Sequence, residues 1–157
     1  MTSLEFTPGV RPDKLKLELQ LEALDNLRMI NHGILNPQIL SLLARVRHTN
    51  ALVIADRGFP FWPQIETVDV SVVDDLPTVL QLIAAVRANH NFTQACQAEE
   101  FLKNNTASVR QKFAAALKGV TTTFEPHVEF KKRVPHVIGL IRTGDTVQYA
   151  NTILISG

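Results

Sequence analysis

Hydrophobic residues fall into short apolar runs and helical faces that follow one another along the chain. The run AlaLeuValIleAla at 51–55 is too short for a helix and has turn residues behind it, which predicts a strand buried on both faces. Asn36 is a capping residue and Pro37 a favoured first helical residue, so they predict a helix that begins at 36–37 and leads into this strand. Segments of these two kinds alternate for most of the remaining length.

The other predicted strands are rich in β-branched residues, and they cover 67–72, 92–97, 121–124, 137–142 and 152–155. The other predicted helices show helical spacing or start signals, and they cover 13–28, 74–87, 106–117 and 125–133. Asp75 is the expected cap of the second of these helices. This order predicts a single-domain α/β three-layer sandwich whose mostly parallel, mixed central sheet is flanked by helices. The last two strands are close enough in sequence to form an antiparallel hairpin.

Composition narrows the class of protein. The chain has 157 residues, a net charge of +1 and 45% hydrophobic residues, a balance typical of one globular domain rather than of a nucleic-acid-binding or disordered chain. No apolar run approaches the roughly 18 residues of a membrane span, and the N-terminus lacks the apolar core of a secretion signal. We therefore expect a cytoplasmic protein. Its single cysteine, Cys96, excludes an intrachain disulfide and is expected to be a buried thiol.

Several kinds of chemistry lack their sequence signals. The chain has neither a GxGxxG nor a GxxxxGK[ST] phosphate-binding pattern, and no GxSxG elbow. No pair of the five histidines has the spacing of a metal-binding HExxH helix, so we do not expect a structural metal. Acid–base chemistry by His, Asp, Lys and Tyr remains available.

Two polar residues flank the buried run, His48 before it and Asp56 after it. Ligands of open α/β sheets bind at the carboxyl ends of the strands, where Asp56 is expected to lie. An imidazole also titrates near neutral pH. Structural roles are equally open at this point, because His48 can satisfy the last carbonyls of a helix and Asp56 can cap a turn.

Two further pairs have spacings that bring their side chains together. His127 and Lys131 are four residues apart and share one helical face, where two cations would suit an anionic or electron-rich partner. Tyr149 and Asn151 flank Ala150 and point to the same side if that segment is extended. A solvated surface pair and a simple turn are the corresponding structural alternatives.

Four separated blocks decide between these alternatives: HisThrAsnAlaLeuValIleAlaAspArgGlyPhePro, HisValGluPheLys, ValIleGlyLeuIleArgThrGlyAsp and TyrAlaAsnThrIleLeuIleSerGly. In content and order they resemble the D-ribose pyranase and L-fucose mutarotase family, most closely its ribose pyranase branch. The resemblance covers about 29–157. It predicts that 1–28 form a partly helical N-terminal extension, and that 29–157 form the ribose pyranase-like domain.

The resemblance implies an isomerase that interconverts cyclic forms of a free monosaccharide without redox chemistry, cofactor or metal. It also implies a homo-oligomeric ring, commonly a decamer of two stacked pentamers, with sites between neighbouring subunits. The positions that match the family's active-site residues are His48, Asp56, His127, Lys131, Tyr149 and Asn151.

Each matching position has a hypothetical role. His48 would be the principal proton-transfer group, assisted or oriented by Asp56. His127 and Lys131 would bind hydroxyls or stabilise developing oxyanion charge. The remaining two, Tyr149 and Asn151, would hold the sugar by hydrogen bonds.

Arg47 and Arg57 depart from the smaller residues usual in the family. Arg57 is therefore an additional candidate for substrate binding, and the two cations favour a phosphorylated or acidic sugar as an alternative substrate. A sugar-binding or assembly module without useful turnover is a second alternative.

Overall fold

The buried run at 51–55 forms the strand β1, Ala51–Ala55, in a computed structural model that describes residues 33–157. Four of its five residues, Leu52 to Ala55, have no solvent exposure. The predicted extension 1–28 and its helix 13–28 lie outside the described residues.

In the described part of the chain, β1 belongs to a six-stranded sheet of order β2-β5-β1-β6-β3-β4. The other strands are β2 Glu66–Asp69, β3 Phe92–Ala98, β4 Thr121–Glu125, β5 Gly139–Arg142 and β6 Thr152–Ser156. The pairings β1–β5, β2–β5 and β3–β4 are parallel, whereas β6 is antiparallel to both β1 and β3. This mostly parallel, mixed sheet confirms the predicted fold class.

The predicted hairpin of the last two strands is wrong. β1 lies between β5 and β6, so that Val53 pairs with Leu140 on one side and with Ile153 on the other. All five residues of β1 are apolar, so this strand suits a central position with a neighbouring strand on each edge. The segment between β5 and β6 therefore crosses from one side of β1 to the other.

Helices cover both faces of this sheet. They are α1 Pro37–Arg45, α2 Val79–Asn89, α3 Glu99–Asn104, α4 Ala107–Ala116 and α5 His127–Arg133, the last continued by a 3-10 turn at Val134–His136. As predicted, the Asn36 side chain caps α1 by accepting hydrogen bonds from the first turn. Among residues 33–157, no helix is both long and apolar enough to cross a bilayer.

Helix α2 begins later than expected. Its cap is Thr78, which exchanges hydrogen bonds with Gln81 in a capping box. Asp75 does not cap it; its φ is 59°, and its carboxylate instead accepts from the backbone and hydroxyl of Thr146. The short helix α3 was not predicted, because six residues are too few to show a helical period.

The two faces of the sheet have separate hydrophobic cores. Leu52 and Ile54 pack under α1 and α2, whereas Val53 and Ala55 pack under α5 and its 3-10 turn. Alternate residues of β1 therefore serve opposite cores, as the two-residue period of a strand requires. The result is a three-layer arrangement.

This topology brings the carboxyl ends of most of the strands to one edge of the sheet. β1, β2 and β5 run in parallel, and β3 and β4 share their direction because β6 is antiparallel to both β1 and β3. The carboxyl ends of five strands therefore meet at the edge where β6 begins.

Candidate active site

A cavity of about 420 Å³ opens at this carboxyl edge. Its walls come from the segment after β1, from α5 and from the loop between β5 and β6. The residues that line it are Asp56, Arg57, Gly58, Phe59, Pro60, His127, Lys131, Asp145, Thr146, Val147, Gln148, Tyr149 and Asn151.

Asp56 follows β1, and hydrogen bonds with Asn151 and Gly58 fix its position. The amide of Asn151 donates to Asp56 Oδ2 at 2.9 Å, and Asn151 Oδ1 accepts the Asp56 N–H at 2.9 Å. Asp56 Oδ1 also accepts the N–H of Gly58 at 3.0 Å. Ile54 pairs with Thr152, so the end of β1 lies beside the start of the antiparallel strand β6. Asp56 and Asn151 therefore meet although they are far apart in sequence.

The position of Asp56 raises the pKa of its carboxyl above the ordinary value. Burial is the main cause, because removal from water disfavours the charged form. The hydrogen bonds from Asn151 and Gly58 act in the opposite direction, and the nearby negative charge of Asp145 raises the pKa further. Asp56 is thus poised to take up a proton more readily than an exposed aspartate.

His127, the first residue of α5, lies in an aromatic setting. Its ring meets Tyr149 edge-to-face at a centroid distance of 5.1 Å, and Phe59 and Phe130 lie at 6.3 and 6.0 Å. The backbone N–H of His127 donates to Glu100 Oε2 at 2.9 Å, which fixes the start of the helix. Its Nδ1 is buried and has no hydrogen-bond partner among residues 33–157.

The pKa of His127 is lowered from its ordinary value. Burial is the main cause, the positive charge of Lys131 one turn along α5 adds to it, and Glu100 opposes both. The imidazole is therefore mainly neutral at pH 7, so one ring nitrogen can donate and the other can accept.

A tight turn presents the last two site residues. Asp145 Oδ1 accepts the N–H of Val147 at 2.8 Å, and the Val147 carbonyl accepts the N–H of Ala150 at 3.3 Å. Within this turn Tyr149 has a φ of 56°, in the left-handed region that non-glycine residues rarely occupy. The turn directs Tyr149 to the cavity, while Asn151 is 2% exposed and lies beneath it.

Six of the seven residues that the sequence singled out line this one cavity, and His48 does not. His48 is exposed and lies in the turn before β1, where the neighbouring Thr49 N–H bonds to the Ser156 carbonyl. At about 3.3 Å per residue, a five-residue strand separates its two ends by about 16 Å. His48 and Asp56 of one chain therefore do not meet, and the predicted cooperation of the two residues requires a site shared between subunits.

The two arginines also differ in position. Arg57 lines the cavity, and its guanidinium pairs with Asp74 in the loop between β2 and α2. The Arg47 guanidinium donates to the carbonyls of Ala44 and Val46 at the end of α1, on the His48 side of the sheet.

Sequence reasoning missed Asp145 as a site residue. It follows β5 by three residues, as Asp56 follows β1 by one, and the parallel pairing of these strands brings both carboxylates to one edge. The signal was a polar residue after an apolar strand. It was not recognised, because β5 and β6 were predicted to form a hairpin.

A larger cavity of about 580 Å³ lies between α4 and β4. None of the described side chains lining it is a carboxylate or an imidazole, and its two cations are Arg110 and Lys118. Acid–base chemistry therefore favours the smaller cavity. Residues 33–157 contain no group of three His, Cys, Asp or Glu side chains arranged to hold a metal ion.

Comparison with known proteins matches the sequence profile of the RbsD / FucU transport protein family to residues 29–157. The chain belongs to this family. Among the relatives of this RbsD / FucU chain, the D-ribose pyranase of Chromobacterium violaceum is 37% identical over 129 residues, which are 82% of this chain and 98% of that protein. The D-ribose pyranase of Halalkalibacterium halodurans is 36% identical over 131 residues, with the same two coverages.

Solved structures of RbsD / FucU proteins share the fold. The structure of Bacillus subtilis RbsD complexed with D-ribose has a TM-score of 0.77 and 29% identity, and it covers 82% of this chain and 98% of that one. The fucose mutarotase of Streptococcus pneumoniae in complex with L-fucose has a TM-score of 0.69 and 18% identity, with coverages of 81% and 97%. The second likeness concerns the fold alone.

Proposed function

We propose that this protein is an isomerase that interconverts the ring forms of a free, ribose-like monosaccharide. Pyranose–furanose exchange, exchange of anomers, or both, would be its reaction. One observation carries the proposal: a carboxylate, an imidazole, an amine and a phenol converge in one cavity of a chain related to D-ribose pyranases. These groups belong to Asp56, His127, Lys131 and Tyr149.

The reaction needs only proton transfers. A base removes the proton of the anomeric hydroxyl, the bond between the anomeric carbon and the ring oxygen breaks, and an acid protonates that oxygen. The open-chain carbonyl then recloses through another hydroxyl or from its other face. Positioned acid–base groups commonly supply about 10²–10⁴-fold in rate.

The electrostatic setting of the described side chains suits these roles. The raised pKa of Asp56, due mainly to burial, favours exchange of a proton near the anomeric centre. A neutral His127 can both accept from and donate to sugar hydroxyls, and Lys131 can stabilise oxyanion charge as the ring opens. Tyr149 and Asn151 would orient the sugar.

Charge balance favours a neutral substrate over a phosphorylated or acidic one. Among residues 33–157, two carboxylates line the cavity, those of Asp56 and Asp145, and two cations line it, those of Arg57 and Lys131. Arg57 is already paired with Asp74, so an anionic sugar would have to compete for that guanidinium. In this proposal Arg57 binds sugar hydroxyls with its remaining N–H groups.

We also propose that a second copy of the chain completes the site with its His48. In support, His48 is exposed at the opposite sheet edge from the cavity, and the resemblance implies sites between neighbouring subunits. A head-to-tail contact of this kind repeats from subunit to subunit and closes into a ring. A pentamer-based ring or a decamer is the assembly expected from the resemblance.

Mixing inactive variants tests this shared site. His48→Ala and Asp56→Asn subunits would each be inactive alone, whereas refolded one-to-one mixtures would regain about a quarter of the wild-type rate, because random head-to-tail neighbours form one intact site in about four. If the mixture regains no activity, the two residues act within one subunit or have no part in catalysis. Equal activity of His48→Ala and wild type would remove His48 from the mechanism.

Saturation-transfer NMR on D-ribose tests the activity itself. The wild type is expected to accelerate exchange between ring forms, and His127→Gln to slow it by about 10²–10⁴-fold. His136→Gln is the matched control, because His136 is exposed and does not line the cavity. Line broadening of ribose without exchange would support the binding-module alternative, and exchange of ribose 5-phosphate alone would support the phosphorylated-sugar alternative.

A further inference from the structure

Asp145 is 1% exposed, yet its carboxylate lies in the wall of the acid–base cavity. Its Oδ2 accepts the N–H of Val79, the first residue of α2, at 2.8 Å. Its Oδ1 accepts the N–H of Val147 at 2.8 Å, and its carbonyl accepts the N–H of Arg57 at 3.2 Å. One residue thus joins the segment after β1, the start of α2 and the loop between β5 and β6.

The bond to Val147 bears directly on the position of Tyr149. It closes the first half of the turn, and the Val147 carbonyl closes the second half through the Ala150 N–H. A left-handed conformation costs a non-glycine residue about 1–2 kcal/mol. Such a conformation persists only where its surroundings over-determine it, and the bond from Val147 to Asp145, together with the bond from Ala150 to Val147, provides that constraint.

Asp145 also affects Asp56 through charge. The charged or titratable groups around the cavity are Arg57 on the same segment as Asp56, His127 and Lys131 on α5, and Asp145 and Tyr149 on the loop between β5 and β6. Burial is the main reason why the pKa of Asp56 is raised, and the charge of Asp145 acts in the same direction.

We propose that Asp145 is a positioning residue of this site: its buried carboxylate holds the turn that presents Tyr149 and Asn151, and it sets a negative charge beside Asp56. The inference rests on the proposed function, because a bias on Asp56 matters to the sugar only if Asp56 takes part in ring opening. Asp145 itself need not touch the sugar.

Two variants separate the charge of Asp145 from its hydrogen bonds. Asp145→Asn keeps the shape but removes the charge and, because an amide has one acceptor oxygen, also one of the two accepted N–H bonds. Val79→Pro removes one N–H donor and keeps the charge; proline is well tolerated as a first helical residue, and Thr78 before it already has the extended conformation that proline requires. Carbon-13 NMR of the Asp56 carboxyl, assigned by its loss in Asp56→Asn, gives the titration midpoint in each protein.

The midpoint of Asp56 is expected to fall in Asp145→Asn and to stay at the wild-type value in Val79→Pro. The acidic limb of kcat/KM for ring exchange should move to lower pH in the first variant only, which loss of structure alone would not do. Unchanged midpoints in both variants, or equal shifts in both, would overturn the proposal. If Asp145→Asn does not fold, Asp145→Ser replaces it, because a serine hydroxyl can still accept the Val147 N–H.

The two readouts keep this inference distinct from the proposed function. A wild type that exchanges no sugar would contradict the proposed function, while the Asp56 midpoints would still decide the charge effect of Asp145. A wild type that exchanges ribose, together with an unmoved midpoint in Asp145→Asn, would contradict the inference alone.

Discussion

Asp56 and Asn151 hold each other by two hydrogen bonds, each 2.9 Å long, across 95 residues of sequence. One bond joins the two side chains, and the other joins the Asn151 side chain to the Asp56 backbone. The pair closes the sheet edge between β1 and β6, and it orients the carboxylate of the cavity. Asn151 therefore both stabilises this part of the fold and lowers the pKa of Asp56.

Replacing Asn151 by Ala should destabilise the protein and raise the pKa of Asp56 further. The substitution leaves the Asp56 N–H without its acceptor, which costs about 1–3 kcal/mol in the free energy of unfolding. It also removes a donor that lowers the pKa of Asp56. Urea unfolding and carboxyl NMR measure the two effects. Asn91→Ala, which removes an exposed bond to the Gly157 carbonyl, is the control and should change neither quantity appreciably.

Stability should depend on pH through Asp56. Its pKa is raised in the folded state, mainly by burial, so the folded protein binds this proton more tightly than the unfolded chain does. The wild type should therefore lose stability relative to Asp56→Asn as the pH rises from the ordinary aspartate range through the raised pKa. Urea midpoints of both proteins between pH 3.5 and 7 test this. A difference that is flat with pH, or of opposite sign, would contradict the raised pKa.

Lys131→Gln should raise the pKa of His127. Burial is the main cause that lowers this pKa, and the positive charge of Lys131 is the second. Without that charge the imidazolium forms at higher pH, so the midpoint of the His127 ring titration should move upward. Histidine ring NMR measures the titration. Lys132→Gln is the control on the same helix, since Lys132 pairs with Glu129 at the exposed surface; an equal shift there would exclude a specific effect of Lys131.

Cys96 should be inert in the folded protein. Its side chain is 1% exposed, and burial above all, with Glu125 as a second cause, raises the pKa of the thiol to about 11. At pH 8 only about one thiol in a thousand is then the reactive thiolate. Iodoacetamide should label Cys96 rapidly in urea and very slowly without it. Rapid labelling under native conditions would show that the hydrophobic core beneath α5, which contains Cys96, opens to solvent.

Local sequence signals predicted much of the fold because they act over a few residues. Asn36 and Pro37 started α1 where expected, and the apolar run at 51–55 became a strand buried on both faces. Strand neighbours were harder. The hairpin prediction used closeness in sequence, but β1 is the most apolar strand and takes the position between β5 and β6.

The sequence by itself determined the types of groups in the candidate site and the local elements that carry them: Asp56 after a buried strand, His127 and Lys131 one helical turn apart, and Tyr149 and Asn151 beside Ala150. Only the tertiary structure decided which of them meet. Strand direction brought Asp56, Asp145 and Asn151 to one edge, and the length of β1 put His48 at the other. The reason is physical: helix and turn signals are local, whereas strand order depends on how distant apolar segments are buried together.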